Sequence, residues 1–195
     1  AASDVYKRQT EGYADMIQKG IGGKVVRFHV LANSDSEADQ TLKLAVRDRV
    51  LQEYGDLLET CTSKEETLAA LKNAQQEISE TAEAEVLAQG YTYPVRVSLV
   101  REEFPFKKYG DLIFPAGVYD ALRIEIGEAK GKNWWCVLYP QMCYVDAAWG
   151  YSTEESHVRL QNTLTKEEFL VVSAMEQKKV TPKIKCRLVE LWSER

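Results

Sequence analysis

The residues of this chain with the greatest capacity for chemistry are two histidines, four cysteines and a short polar run, Asn33-Ser34-Asp35-Ser36. Nucleophilic catalysis needs a nucleophile, a base and a group that orients the base. Ser34, His29 and Asp35 supply those residue types within seven positions. Their setting gives them a simpler use, because Ser34 and Asp35 stand where a strand gives way to a helix, and there such side chains serve as turn and cap groups. A Cys/His pair drawn from His29 with Cys136 or Cys143 has no better support. The cysteines lack CxxC spacing and His29 and His157 stand apart, so no metal site is expected. No spaced carboxylate pair stands out for acid–base work, and Gly127-Glu128-Ala129-Lys130-Gly131-Lys132-Asn133 fits neither phosphate-loop frame. No cofactor is expected, and catalysis has no positive support.

The densest stretch is Gly127 to Cys143. Gly127 and Gly131 allow positive φ or a close backbone approach, so the segment up to Asn133 reads as a tight loop carrying Lys130 and Lys132. Trp134 to Tyr139 reads as a short extended run. Adjacent tryptophans on a strand point to opposite faces, so one can anchor the core while the other lies near the surface. Cys136 and Cys143 are separated by six residues that include Pro140. A disulfide there would contribute about 2.5 kcal/mol; two buried thiols acting as small hydrophobes fit the spacing equally well. Trp134 and Trp135 could stack on pyranose rings with Asn133 hydrogen bonding, but aromatic packing is the commoner use of such residues. Aromatic anchors beside a rigid loop are also what interface hot spots are made of.

Composition narrows the classes. The 195 residues, 45% of them hydrophobic, suffice for one well-packed domain. A net charge of -5 argues against nucleic acid as the partner, since phosphate neutralisation needs a basic face. No run of eighteen apolar residues is present, so no membrane span is expected, and residues 1–23 lack the apolar core of an export signal. Ala1 to Gln9 has no period and reads as a leader, foreign to the natural chain or without structure.

The helices and strands around these residues follow from periodicity. Lys24 to Ala32 alternates Val26, Phe28 and Val30 against Arg27 and His29, which predicts a half-buried strand with His29 on its polar face. Ser36-Glu37-Ala38-Asp39 has capping-box form and opens a helix with Leu42, Val46 and Val50 inward, an Asp39/Lys43 ion pair, and a stop at Gly55. Ser63 to Glu66 caps a long helix burying Leu68, Leu71, Ala74 and Ile78 and ending near Gly90. Val95 to Leu99 and Val118 to Ile126 alternate as strands with one polar face each, which favours an antiparallel or mixed sheet. Between them Phe104 to Gly117 reads as a hairpin-like excursion rich in proline and glycine. Ala147 to Asn162 has no clear period; Thr165 to Glu168 opens a third helix through Phe169, Val172 and Met175, and Pro182 ends it. Ile184, Cys186 and Leu188 alternate with basic residues in a last strand closed by Trp192. The fold expected is one α+β domain, its mixed or mainly antiparallel sheet covered by two or three helices: 1–23 leader, 24–146 core, and 147–195 completing the same domain.

Leu31-Ala32-Asn33-Ser34-Asp35-Ser36, followed by Asp39-Gln40, Leu42-Lys43 and Arg47-Asp48, resembles the N-terminal signature of the stage II sporulation protein R family. So do Phe104-Pro105 with Lys108-Tyr109-Gly110, Phe114-Pro115-Ala116-Gly117 with Tyr119, and Gly131 with Asn133-Trp134-Trp135-Cys136-Val137-Leu138, Pro140 and Cys143. The likeness runs in consistent order from about Val25 to Asp146. Ala129 departs from it, standing where a Gly-x-Gly-Lys-Gly loop would carry glycine, and Gln141 stands in place of a frequent second proline.

What the resemblance implies is a signalling protein of endospore-forming bacteria, secreted from the forespore into the intermembrane space. There it would activate a membrane-embedded aspartic protease that processes the precursor of the mother-cell sigma factor E. That makes it an activator and not an enzyme. An extracytoplasmic location would favour the Cys136 to Cys143 bridge. The resemblance carries no catalytic residues. The contact surface expected is Lys130, Gly131, Lys132, Asn133, Trp134 and Trp135, with Asn33, Ser34 and Asp35 as a second candidate; replacing Trp135 by Ala should abolish activation while leaving the fold intact. The alternatives are a secreted hydrolase using Ser34 or a cysteine, and a cell-wall glycan-binding module using Trp134 and Trp135. Whether Cys61 and Cys186 pair is a question only the fold can decide.

Overall fold

In a computed structural model that describes residues 2–143 and 154–173, with side chains from residue 12 onward, the chain centres on β1 (Val26–Leu31). This strand is an interior member of a four-stranded mixed sheet in the order β2-β5-β1-β6, where β2 is Val95–Phe104, β5 is Gly117–Ile126 and β6 is Asn133–Tyr139. β1 runs parallel to β5 and antiparallel to β6, while β2 and β5 are antiparallel. The excursion between β2 and β5 is a hairpin of β3 (Lys107–Tyr109) and β4 (Leu112–Phe114).

Helices cover both faces, more of them than the sequence reading expected. On one face α2 (Glu37–Glu59), α3 (Lys64–Asn73) and α4 (Gln75–Ala88) pack on Val26, Phe28, Val30, Leu122, Ile124 and Ile126. On the other, α1 (Ala2–Lys24), α5 (Glu154–Thr163), α6 (Lys166–Ser173) and the hairpin enclose a second cluster that includes Ile21, Phe104, Phe114, Tyr119, Leu160 and Val172. The described residues thus form one α+β domain with two apolar layers.

Four local expectations change. Residues 2–24, read as part of a leader either without structure or foreign to the natural chain, are helical, and Ile17 and Ile21, one turn apart, are buried in the second cluster. Lys64 fixes the end of that helix: its ammonium donates to the Gly22 carbonyl at 2.7 Å and lies 2.6 Å from Asp120 Oδ2. α2 continues through Gly55 to Glu59, since Tyr54, Gly55 and Leu58 all lie on its buried face. The long helix beginning at Ser63 breaks at Ala74, where Gln75 turns to donate to the Val97 carbonyl at 3.0 Å. α5 occupies part of a stretch read as aperiodic, because only Ser156 and Leu160 of its residues are buried and Val158 faces outward. Both serine caps are formed, Ser36 accepting from Asp39 N and Ser63 from Glu66 N. The expected strand from Lys183 to Leu188, with Cys186 and Trp192, lies outside the described residues.

Being covered on both sides changes β1 most. Arg27 is 0% exposed and His29 3%, so the face read as polar and solvated is interior, and His29 is not a surface histidine. Arg27 Nη2 donates to the Tyr109 hydroxyl at 2.8 Å and Nε to the Cys136 carbonyl at 3.2 Å, while the guanidinium lies over Phe104, Phe114 and Tyr119 at 4.9 to 5.1 Å. Among the described residues no carboxylate pairs with it, and ring quadrupoles take that role.

Candidate functional site

The sheet register brings the two candidate surfaces together. Leu31, the last residue of β1, is paired with Glu125 on one side and Asn133 on the other. The turn that leaves β1 and the loop that joins β5 to β6 must therefore emerge side by side, although nearly the whole length of the sheet-forming chain separates them in sequence.

Backbone groups zip the two together. Gly131 N–H donates to the Ala32 carbonyl at 2.9 Å, and Lys130 N–H to the Asn33 carbonyl at 3.2 Å. Side chains of the turn take two more donors of the loop: Asn33 Oδ1 accepts from Glu128 N at 3.0 Å and Asp35 Oδ1 from Lys132 N at 2.7 Å. From α2, Lys43 Nζ donates to the Lys132 carbonyl at 3.0 Å. The glycines are required by this approach. A Cβ at Gly131 would lie 2.2 Å from the Ser34 carbonyl oxygen, and one at Gly127, where φ is 61°, would lie 2.3 Å from Asn33 Oδ1.

Asp39 sits under the turn, 4% exposed. Its Oδ2 accepts from Ser34 Oγ and, at 2.9 Å, from Asn33 Nδ2. Those two hydrogen bonds, Ser34's the stronger influence, hold the carboxyl below the ordinary aspartate range against the opposing effect of burial. The reciprocal half of a capping box is not made: Ser36 N–H turns to Ser34 Oγ at 3.2 Å, which leaves the Asp39 carboxylate for the turn. Nor do Asp39 and Lys43 pair, because the Lys43 ammonium reaches Gln40 Oε1 and the loop. Burial, then Arg47, lowers the Lys43 pKa. The sequence reading missed Asp39 and Lys43 as site residues. The available signal was a capping-box acid with two hydrogen-bonding side chains, Asn33 and Ser34, just upstream of it.

The tryptophans leave opposite faces of β6, and both are half-buried. Trp134 meets Phe28 edge-on at 5.7 Å and lies under the Arg47 guanidinium at 4.8 Å. Trp135 stacks on His29 at 4.8 Å, takes Phe104 edge-on at 4.9 Å and has Lys107 Nζ 5.0 Å from its centroid. Neither is a bare platform for a sugar ring, and replacing Trp135 would disturb the core as much as any contact. The exposed charged groups of the unit are the side chains of Asp35, Glu128, Lys130 and Lys132. Lys130 is paired with Glu128 at 2.7 Å, which raises the one pKa and lowers the other.

The residue types for nucleophilic catalysis are not assembled. Ser34 Oγ donates to Asp39, whereas His29 Nε2 lies 2.7 Å from Glu102 Oε1 and its ring is engaged by Trp135. Cys136 and Cys143 are joined as a disulfide, Cα atoms 5.6 Å apart, across a cis peptide at Tyr139-Pro140. Cys61 is free and Cys186 lies outside the described residues. A cleft of about 320 Å³ between the end of α2 and α5, lined among others by Cys61, Gln141 and Arg159, includes no residue of the turn or loop. Among the described residues no group of three or more His, Cys, Asp or Glu is placed to hold a metal, and no helix is long and apolar enough to cross a membrane.

Comparison with known proteins agrees with the motifs. Residues 22–149 match the family model described as stage II sporulation protein R, a span that contains the sheet, the turn and the loop. The stage II sporulation protein R of Bacillus subtilis (strain 168) is 32% identical over 184 residues, covering 89% of this chain and 82% of that protein. No solved structure matches. The matched span and the whole-chain relative agree, and the chain belongs to the stage II sporulation protein R family.

Proposed function

We propose that this chain is a sporulation signal that works by binding: secreted from the forespore into the intermembrane space, it activates a membrane-embedded aspartic protease, which then processes the precursor of sigma factor E. Membership of the sporulation family supports the sporulation role. The observation that carries the binding mode is the zipped turn and loop. Its polar groups are spent on holding two chain segments in one shape, and what it offers outward is a rigid edge with Lys132 and the Lys130/Glu128 pair. A rigid surface suits an activator, which shifts its receptor only by binding the active conformation better than the inactive one. Preorganisation removes the ordering cost that a mobile loop would incur on binding.

The test uses membranes carrying the cognate sporulation protease and its precursor substrate, with the folded chain added from the extracytoplasmic side. Cleavage should depend on the added chain. Replacing Lys130 and Lys132 together by Glu, at exposed positions remote from the core, should cut activation at least about tenfold, because reversing charge at a contact surface opposes association with a complementary partner. Cleavage indifferent to the added chain would remove the reading, and full activity of the doubly reversed variant would move the contact elsewhere.

A further inference from the structure

We propose that Asp39 is a positioning residue for the Gly127–Asn133 loop, and that it acts by fixing which way round the side-chain amide of Asn33 is held. The inference rests on the reading of that loop as the recognition surface.

An ionised carboxylate accepts hydrogen bonds and donates none. Asn33 must therefore turn its Nδ2 to Asp39 Oδ2, 2.9 Å away. Its Oδ1 is then directed the other way, where it accepts from Glu128 N at 3.0 Å, while its main-chain carbonyl accepts from Lys130 N at 3.2 Å. An amide between an acceptor-only group and an N–H donor has one satisfactory orientation. Asp39 is itself held in place, because Ser34 Oγ donates to the same oxygen and its backbone N–H donates to Ser36 Oγ at 3.1 Å. The lowered pKa of its carboxyl keeps it in the acceptor-only form at neutral pH. A buried group whose hydrogen bonds go to the turn thus decides whether the loop meets an acceptor or a donor.

Polarity, and not volume, is what the relay requires. In Asp39→Asn, nearly the same shape, the new amide can donate to Asn33 Oδ1 and turn the Asn33 amide round. Its Nδ2 then faces the Glu128 N–H, donor against donor, and the loop loses a tie. Asn33→Asp sets two carboxylates side by side. Combining Asn33→Asp with Asp39→Asn reverses the polarity of the pair: the new carboxylate at position 33 accepts from the new amide at position 39 and still accepts from Glu128 N–H. The double variant should therefore be better than either single one, a coupling that side chains acting only by size would not show.

The experiment is amide hydrogen exchange on the full chain and its three variants, with precursor cleavage measured in parallel. Asp39→Asn should speed exchange at Glu128 and Lys130 about tenfold, as loss of about 1.4 kcal/mol of local protection requires, with β1 and β5 amides unchanged. The double variant should recover most of that protection, and activation should follow the same order. Unchanged exchange at Glu128 in Asp39→Asn, or a double variant merely as bad as the sum of the singles, would overturn the relay. A folded variant with a loosened loop and full activation would overturn its link to function. Should the wild-type chain fail to activate at all, the exchange data still decide the role of Asp39 while the proposed function falls.

Discussion

His29 lies flat against Trp135, their centroids 4.8 Å apart and their planes inclined by only 13°. Phe104 closes on both rings. Burial, then the nearby Arg123 and Arg27 guanidiniums, lowers the imidazole pKa to about 3. Glu102 Oε1, 2.7 Å from Nε2, favours the charged ring, but that carboxylate is partly exposed and also accepts from Arg123 Nη1, so burial prevails.

The consequence is a pH dependence of stability. The folded chain keeps His29 neutral where the unfolded chain, with an ordinary pKa of about 6.5, binds a proton. Its contribution is therefore undiminished above that value and declines as pH falls toward the folded pKa, with a slope of up to about 1.4 kcal/mol per pH unit. Denaturant unfolding between about pH 7 and pH 4 should show this decline, and His29→Phe should flatten it. A slope unaltered by that substitution would mean that other groups carry it.

Loop geometry predicts opposite signs at two neighbouring positions. Ala129 has φ 53°, the left-handed region that costs a side-chain-bearing residue about 1 kcal/mol, so Ala129→Gly should be stabilising or neutral, within about 1 kcal/mol. Gly131→Ala should destabilise by about 2 kcal/mol or more, since its Cβ would meet the Ser34 carbonyl at 2.2 Å. Thermal unfolding of the two variants checks both. Equal effects at the two sites would show that the loop relaxes freely.

Arg27 provides a third test. A guanidinium spreads its donors over the Tyr109 hydroxyl and the Cys136 carbonyl while its plane lies against rings; an ammonium cannot do both. Arg27→Lys should therefore cost about 3 kcal/mol, and Arg27→Met less, because an apolar chain of similar length leaves no uncompensated buried charge. Guanidinium chloride midpoints rank the pair. A lysine variant more stable than the methionine one would show that charge, and not shape, is what the cage holds.

Local signals were legible in the residues alone. Ser36 and Ser63 announced helix starts because a cap needs only its own next turn. Alternation located β1, β2 and β5, and the run of motifs from Leu31 to Cys143 identified the family. It also placed the two tryptophans on opposite faces, a matter of strand geometry alone.

Whatever depends on which element covers which emerged only with the packing. Arg27 and His29 carry the residue types of a solvated face, yet α1 and the hairpin bury that face, and the alternation of β1 does not report that the helix just before it folds back against β5. The turn at Asn33 and the loop at Gly127 read as separate candidates because their union is set by register, Leu31 between Glu125 and Asn133. Asp39 looked like half of a capping box, and only the arrival of that loop gave Asn33 a second partner and Asp39 the task of orienting it. Local rules act within a turn or two of chain, while a site assembled at one end of a sheet from segments far apart in sequence exists only after the strands have paired.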